Sequence, residues 1–213
     1  MPTSFAFPKV YPILDVSILP ASGRAEFLRR LGGSLAEAGV TLLEYRNKTG
    51  SEAELVADAA VLRAAMPASK LILDDRADLV DRLGFDGVHV DAGDLTPAEA
   101  RKLLGPDRIV GTFGGGQALV PGILQTPADY FSIGVVFPTR TKQVTTPPIG
   151  MEGVRRLRRE AGPGPVLAAI GGITRATAAE ALAAGASMVA IAGGLFRQPD
   201  PAAEFRKWMA ELG

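Results

Sequence analysis

Eight short runs that are apolar nearly throughout, each followed by a stretch with helical spacing, constrain this chain more than any other feature. They are Val10–Val16, Thr41–Arg46, Lys70–Asp74, Gly87–Val90, Arg108–Phe113, Asp129–Val135, Val166–Ile170 and Met188–Ala192. A strand with one wet face alternates apolar and polar residues. These runs do not, which is the pattern of parallel strands covered on both faces. Helix starts fall between them: Ser51–Glu54, Thr96–Glu99 and Thr177–Glu180 each spell a capping box, the second with Pro97 at the first helical position. Gly39, Gly84 and Gly185 stand where a helix should end before the next strand. Dividing 213 residues by eight gives about 27 per unit, close to the minimum for a strand and its helix. The expected fold is therefore α/β, a compact (β/α)8 TIM barrel forming a single domain over residues 1–213, with an open doubly wound sheet as the alternative. The fifth unit is the weakest, since 114–126 offers only a short helix interrupted by proline.

Composition narrows the function classes. The chain is 47% hydrophobic and carries 23 Lys and Arg against 23 Asp and Glu. It is too apolar for a disordered chain and lacks the basic excess of a nucleic-acid binder. With no cysteine, disulfides, thiolate zinc sites and a cysteine nucleophile are excluded. Lys9 and Tyr11 interrupt any leader-like apolar start, and no apolar run approaches the roughly 20 residues of a membrane span. The expectation is a cytoplasmic protein without membrane or nucleic-acid partners, acting on small molecules, with homo-oligomerisation left open.

In a closed barrel the chemistry sits at the carboxyl ends of the strands. Arg46, Asn47 and Lys48 follow the second run, and Asp74, Asp75 and Arg76 the third. The fourth carries His89 and leads to Asp91 and Asp94, while the sixth leads to Phe137-Pro138-Thr139-Arg140-Thr141-Lys142. The last two end in Gly171-Gly172 and Gly193-Gly194. Glycine pairs at those two ends fit a phosphate site, because backbone N–H groups approach an anion closely where no Cβ intervenes. The alternative is tight turns that need a positive φ. Asp75 and Asp94 can converge on one Mg²⁺, a hard cation that takes oxygen ligands, or can cap the helices that follow them. Arg46, Lys48 and Lys142 face the same mouth, as diphosphate ligands or as a solvated rim. His89 is either a satisfied core residue or a contact to a substrate ring. Leu55, Leu62 and Met66 belong to the packing stripe of an outer helix.

Taken together, these motifs resemble the family of thiamine-phosphate synthase and thiazole tautomerase. The resemblance runs through AGVTLLEYRNK, LILDDRADLV, DGVHVDAGDL, ADYFSIGVVFPTRTK, IGMEGVRRL, AAIGGIT and AGASMVAIAGG. It implies that a pyrimidine-methyl diphosphate loses diphosphate and is captured by the nitrogen of a thiazole phosphate. On that resemblance Arg46, Lys48 and Lys142 bind diphosphate, and Asp75 and Asp94 hold Mg²⁺. Thr139, Thr141, Gly171, Gly172, Gly193 and Gly194 receive the thiazole phosphate, and His89 stands near the pyrimidine.

The chain departs from the family pattern at defined places. Glu44 stands for the usual glutamine, Asp74 for asparagine, and Asp91-Ala92 for Gly-Gln. The serine expected to touch diphosphate is Phe113, or Thr112 if the alignment slips by one. Acid at positions 44, 74 and 91 opposes a polyanion unless a metal or a raised pKa compensates. The tautomerase branch uses a histidine where this chain has Phe113-Gly114-Gly115, which disfavours that activity. A class I aldolase would use Glu44 on the second strand, but the sixth run lacks the Schiff-base lysine. A non-catalytic relative that binds a phosphorylated ligand is the remaining alternative.

Overall fold

The computed structural model describes residues 5–139 and 146–213. Eight parallel strands, β1 (Val10–Asp15), β2 (Leu42–Arg46), β3 (Lys70–Asp74), β4 (Gly87–Val90), β5 (Ile109–Gly115), β6 (Tyr130–Gly134), β7 (Val166–Ile170) and β8 (Met188–Ile191), pair in sequence order. β8 returns to β1, so the sheet is a closed barrel. The open-sheet alternative is ruled out, and every strand lies within two residues of its expected bounds. Around the barrel run α1 (Arg24–Glu37), α2 (Glu52–Ala65), α3 (Val80–Leu83), α4 (Pro97–Leu104), α5 (Gly150–Ala161), α6 (Arg175–Ala183), α7 (Gly193–Phe196) and α8 (Pro201–Leu212).

Local chemistry accounts for most helix starts. Ser51 and Thr96 close the expected capping boxes with Glu54 and Glu99. The third box is displaced. Thr174 caps α6 and its N–H donates to Thr177 Oγ1 at 3.0 Å, so Thr177 sits inside the first turn. The short helix expected after β5 is absent among the described residues; a single 3₁₀ turn at Ile123–Gln125 takes its place.

Strand alternation sorts the apolar residues into two cores. Tyr11, Ile13, Leu42, Ile72, Ile109, Tyr130, Ala168, Met188 and Ala190 fill the barrel interior. The alternate positions, such as Leu14, Leu43, Tyr45, Leu71, Leu73 and Val88, pack outward against Leu28, Leu35, Leu55, Leu62 and Met66. Large inward residues close the amino-terminal half of the barrel. Ser132, Gly134, Ala168 and Ala190 are small and leave space at the carboxyl-terminal half.

At the amino-terminal face one device recurs three times. Arg63 of α2 donates to the carbonyls of Met66, Ser69 and Gly84 and to Asp86, whose Oδ2 accepts the N–H of Leu71 on β3 at 2.9 Å. Arg101 of α4 donates to the carbonyls of Gly105, Arg108 and Pro127 and to Asp129, which accepts the N–H of Val110 on β5 at 2.8 Å. Arg158 of α5 donates to the carbonyls of Gly162, Pro165 and Gly185 and to Ser187, which accepts the N–H of Leu167 on β7 at 3.1 Å. Each guanidinium satisfies loop carbonyls that a helix end and a strand start leave without partners. Replacing Arg101 by Met removes its guanidinium from a nearly buried Asp129 carboxylate and from three loop carbonyls. Urea unfolding should show a loss of about 2–4 kcal/mol, whereas Arg108→Met, which breaks only an exposed pair with Asp81, should cost under about 1 kcal/mol.

Candidate active site

The space at the carboxyl ends of the strands is a cavity of about 550 Å³. Its floor is a hydrogen-bonded chain of four buried side chains. The Tyr11 hydroxyl donates to Glu44 Oε2 at 2.6 Å and lies 2.8 Å from the Tyr130 hydroxyl, which lies 3.0 Å from His89 Nδ1. These side chains come from β1, β2, β6 and β4 and meet because all point inward. Tyr130 crosses the interior over Gly111, where a Cβ would lie 2.0 Å from its ring. Glycine at 111 is therefore a packing requirement.

Above this floor lies a ring of charge. Arg46 donates to Asp15 Oδ2 at 2.5 Å and stands 3.6 Å from Asp74 Oδ2. Lys48 Nζ lies 2.6 Å from Asp75, 3.4 Å from Asp74 and 4.0 Å from Asp91, bridging the ends of β3 and β4. Burial pushes Glu44 above the usual carboxylate range, aided by Asp91 and opposed by His89, Tyr11 and Arg46. Burial, then the charges of Glu44 and Asp75, push Asp74 up to about 7 despite Lys48 and His89. Its Oδ2 is buried without a hydrogen-bond donor. Burial lowers His89 and Lys48, but their acidic neighbours outweigh it, so both are held above their ordinary values.

Asp75 and Asp94 are not helix caps. Thr96 caps α4, and Asp75 sits at φ 59°, before Arg76 at φ 43°. Asp94 Oδ2 instead accepts the N–H of Asp91 at 3.2 Å, folding the turn so that its carboxyl approaches Asp75. That approach is the main cause of the raised pKa of Asp94, and Asp75 Oδ1 is buried with no hydrogen-bond donor. Two crowded carboxylates with an orphaned oxygen fit a hard divalent cation. No set of three His, Cys, Asp or Glu converges among the described residues, so a cation here would keep waters or substrate oxygens in its remaining positions.

The opposite wall is glycine. Gly171 and Gly172 have φ 99° and 65°, and Gly193 and Gly194 begin α7. All four line the cavity, as does Thr139. A Cβ on Gly172 would lie 2.5 Å from the Pro138 carbonyl oxygen, so the chain there admits no side chain. Thr141 and Lys142 lie outside the described residues. Thr112 does not reach the cavity: it faces the helix layer and donates to the Val90 carbonyl at 2.9 Å. Strand parity makes Phe113 the lining residue, so Thr112 cannot replace the expected serine.

With this geometry in place, the comparison with known proteins is specific. The thiamine monophosphate synthase family model matches residues 10–195. The chain belongs to that family. A thiamine-phosphate synthase of Koribacter versatilis is 36% identical over 200 residues, covering 93% of this chain and 94% of the relative. One from Agrobacterium fabrum is 35% identical over 190 residues, covering 87% and 82%. Thiamine phosphate pyrophosphorylase from Pyrococcus furiosus superposes with TM-score 0.76 at 24% identity, covering 96% and 95%. A 3-hexulose-6-phosphate synthase superposes with TM-score 0.68 at 18% identity, covering 97% and 100%. Both structural matches show the shared barrel. No described helix is long and apolar enough to cross a membrane.

Within this member of the thiamine monophosphate synthase family, sequence reasoning missed Tyr11, Asp15 and Tyr130. Asp15 was detectable, because it ends β1 as Arg46 ends β2, and it pairs with Arg46. The tyrosines carry no such signal, since an aromatic residue in an apolar run reads as core. The raised pKa of Asp74 has a consequence for stability. A carboxyl that binds its proton more tightly when folded loses stability as pH rises from its unfolded value through about 7. Asp74→Asn should therefore stabilise the unliganded protein by about 1–3 kcal/mol at pH 8. In urea titrations that advantage should shrink steadily as the pH is lowered toward 4.

Proposed function

We propose that this chain catalyses the thiamine-phosphate synthase reaction, in which an aminopyrimidinylmethyl diphosphate loses diphosphate and the nitrogen of a thiazole phosphate takes its place. The observation that carries the reading is the two-ended cavity. One end is lined by Arg46, Asp74 and Asp91, with Lys48 bound to Asp74, Asp75 and Asp91 behind them, and the other is a wall of Gly171, Gly172, Gly193 and Gly194. A diphosphate suits the first end and a phosphate monoester the second.

Arg46 and Lys48 supply fixed positive charge where the departing diphosphate gathers negative charge, which lowers the barrier to C–O cleavage. Lys142 joins them by the family resemblance. Asp75 and Asp94 are the proposed Mg²⁺ ligands, and the ion when bound neutralises charge on the leaving group. The glycine wall with Thr139 and Thr141 fixes the thiazole phosphate, so that its ring nitrogen faces the reacting carbon and capture needs no second encounter. His89, carried on the Tyr130 hydroxyl, faces the pyrimidine. The reaction is assigned to the cytoplasm.

Purified protein with Mg²⁺ and both substrates should form thiamine phosphate, and excess EDTA should stop it. Lys48→Ala should lower kcat/KM by about 10²–10³-fold, and Lys142→Ala should remove activity while leaving the fold intact by circular dichroism. Absence of product at every Mg²⁺ concentration, with thiazole phosphate still bound, would replace this reading by that of a non-catalytic phosphate binder.

A further inference from the structure

Diphosphate binding calls for Lys48, yet its ammonium stands outside the cavity. Arg46, Asp74 and Asp91 line that end, whereas Lys48, Asp75 and Asp94 do not. Lys48 Nζ lies behind the wall, 2.6 Å from Asp75 Oδ2, 3.4 Å from Asp74 Oδ2 and 4.0 Å from Asp91 Oδ2. Asp75 is one of the two proposed cation ligands, and Asp94, the other, crowds against it. The ammonium thus supplies, on Asp75, the positive charge that a divalent cation would bring there. It is a poor substitute, since Asp74 Oδ2 and Asp75 Oδ1 stay buried without a hydrogen-bond donor.

Two of the three acids around Lys48 are departures from the family pattern. Asp74 stands for asparagine and Asp91 for glycine, so the usual residues would leave Lys48 with Asp75 alone. If repulsion were their only effect, both acids would simply weaken a polyanion site. Holding Lys48 gives them a second effect. A lysine ammonium is a point charge on a flexible four-carbon stem, and it can change partners by bond rotation alone. An anion that needs Lys48 binds only the fraction of molecules in which it is free, and its apparent affinity falls by that fraction.

We propose that Asp74 and Asp91 are specificity-determining residues: with Asp75 they hold Lys48 off the cavity until a divalent cation replaces it, so the site accepts diphosphate together with a cation and rejects it alone. With two positive charges on Asp75 and Asp94, Lys48 loses its shortest contact and is free to turn toward the anion. Arg46 takes no part in this exchange, because Asp15 holds its guanidinium at the cavity wall at 2.5 Å. A diphosphate ester that arrives without a cation keeps all the charge of its leaving group. The parked lysine turns it away before it can occupy the site unproductively.

The inference rests on the proposed cation and diphosphate end of the cavity, and its test separates the two. Wild-type protein is trace-labelled with acetic anhydride, and modification of Lys48 is followed by mass spectrometry in EDTA, in saturating Mg²⁺, and in Mg²⁺ with inorganic diphosphate. Labelling should rise about tenfold with Mg²⁺ alone and fall again when diphosphate is added. Calorimetry then measures inorganic diphosphate binding in EDTA, with and without the paired substitutions Asp74→Asn and Asp91→Gly. Glycine at 91 keeps the backbone N–H that holds Asp94. The pair should tighten binding, and the gain should be about tenfold larger with Lys48 present than in a Lys48→Met background. Equal gains in both backgrounds are the mark of simple repulsion and would overturn the proposal. So would Lys48 labelling indifferent to Mg²⁺ when calorimetry shows Mg²⁺ bound, a result that decides alone if a variant fails to fold. Wild-type protein that binds no Mg²⁺, with or without diphosphate, would instead overturn the cation site itself and the proposal with it.

Discussion

Closing eight parallel strands on themselves forces every second side chain into one narrow interior, and the rest of this molecule follows from how that interior is filled. Residues of ordinary size on all eight strands would leave no room for a ligand. Here the filling is asymmetric. Tyr11 and Tyr130 span the width of the barrel from opposite sides, allowed by the absence of a side chain at Gly111. Ser132, Gly134, Ala168 and Ala190 then withhold volume above them, and the cavity is what remains. The active-site floor is the upper surface of the barrel core, so its geometry is as rigid as the packing beneath it.

That floor is polar where a barrel core is ordinarily apolar. Tyr11, Tyr130 and His89 bury groups that each need a partner, and they satisfy one another in series before reaching Glu44. The chain of bonds costs little as long as all members are present. The acids above it are different: Asp74, Asp75 and Asp94 are crowded, and two of their oxygens lack donors. A protein keeps such strain where a ligand relieves it. Lys48 reaches Asp74, Asp75 and Asp91 yet leaves an oxygen of each of the first two without a hydrogen-bond donor, a balance suited to receiving a cation together with a polyanion.

The fold was legible because a buried parallel strand and a capped helix leave strong local signals, and the strand ends pointed to Arg46, Lys48, Asp74, Asp75 and His89. Direction around the barrel was not legible. When both faces of a strand are apolar, nothing in the sequence says which residue looks inward, and a one-residue choice exchanges Thr112 for Phe113. The tyrosines of the floor were hidden for the same reason. Asp75 and Asp94 were ambiguous between capping and ligation until the backbone showed Asp75 in the left-handed region and Asp94 folding back on the Asp91 N–H. Arg63, Arg101 and Arg158 gave no sign either, because each acts on loop carbonyls whose positions depend on the finished barrel.

The two faces of the barrel divide the work between them. At the amino-terminal face, guanidinium groups bind carbonyls and buried acceptors so completely that little charge is left to act on a ligand. At the carboxyl-terminal face Asp74 and Asp75 each bury an oxygen without a donor, and at Gly171 and Gly172 of the glycine wall a side chain would not fit. A charge satisfied by protein contributes stability; one left partly unsatisfied near a cavity contributes affinity and loses stability. Reading which charges are finished and which are not therefore locates the chemistry without reference to any relative. By that criterion Asp74 is unfinished, although it is among the most deeply buried acids of the site.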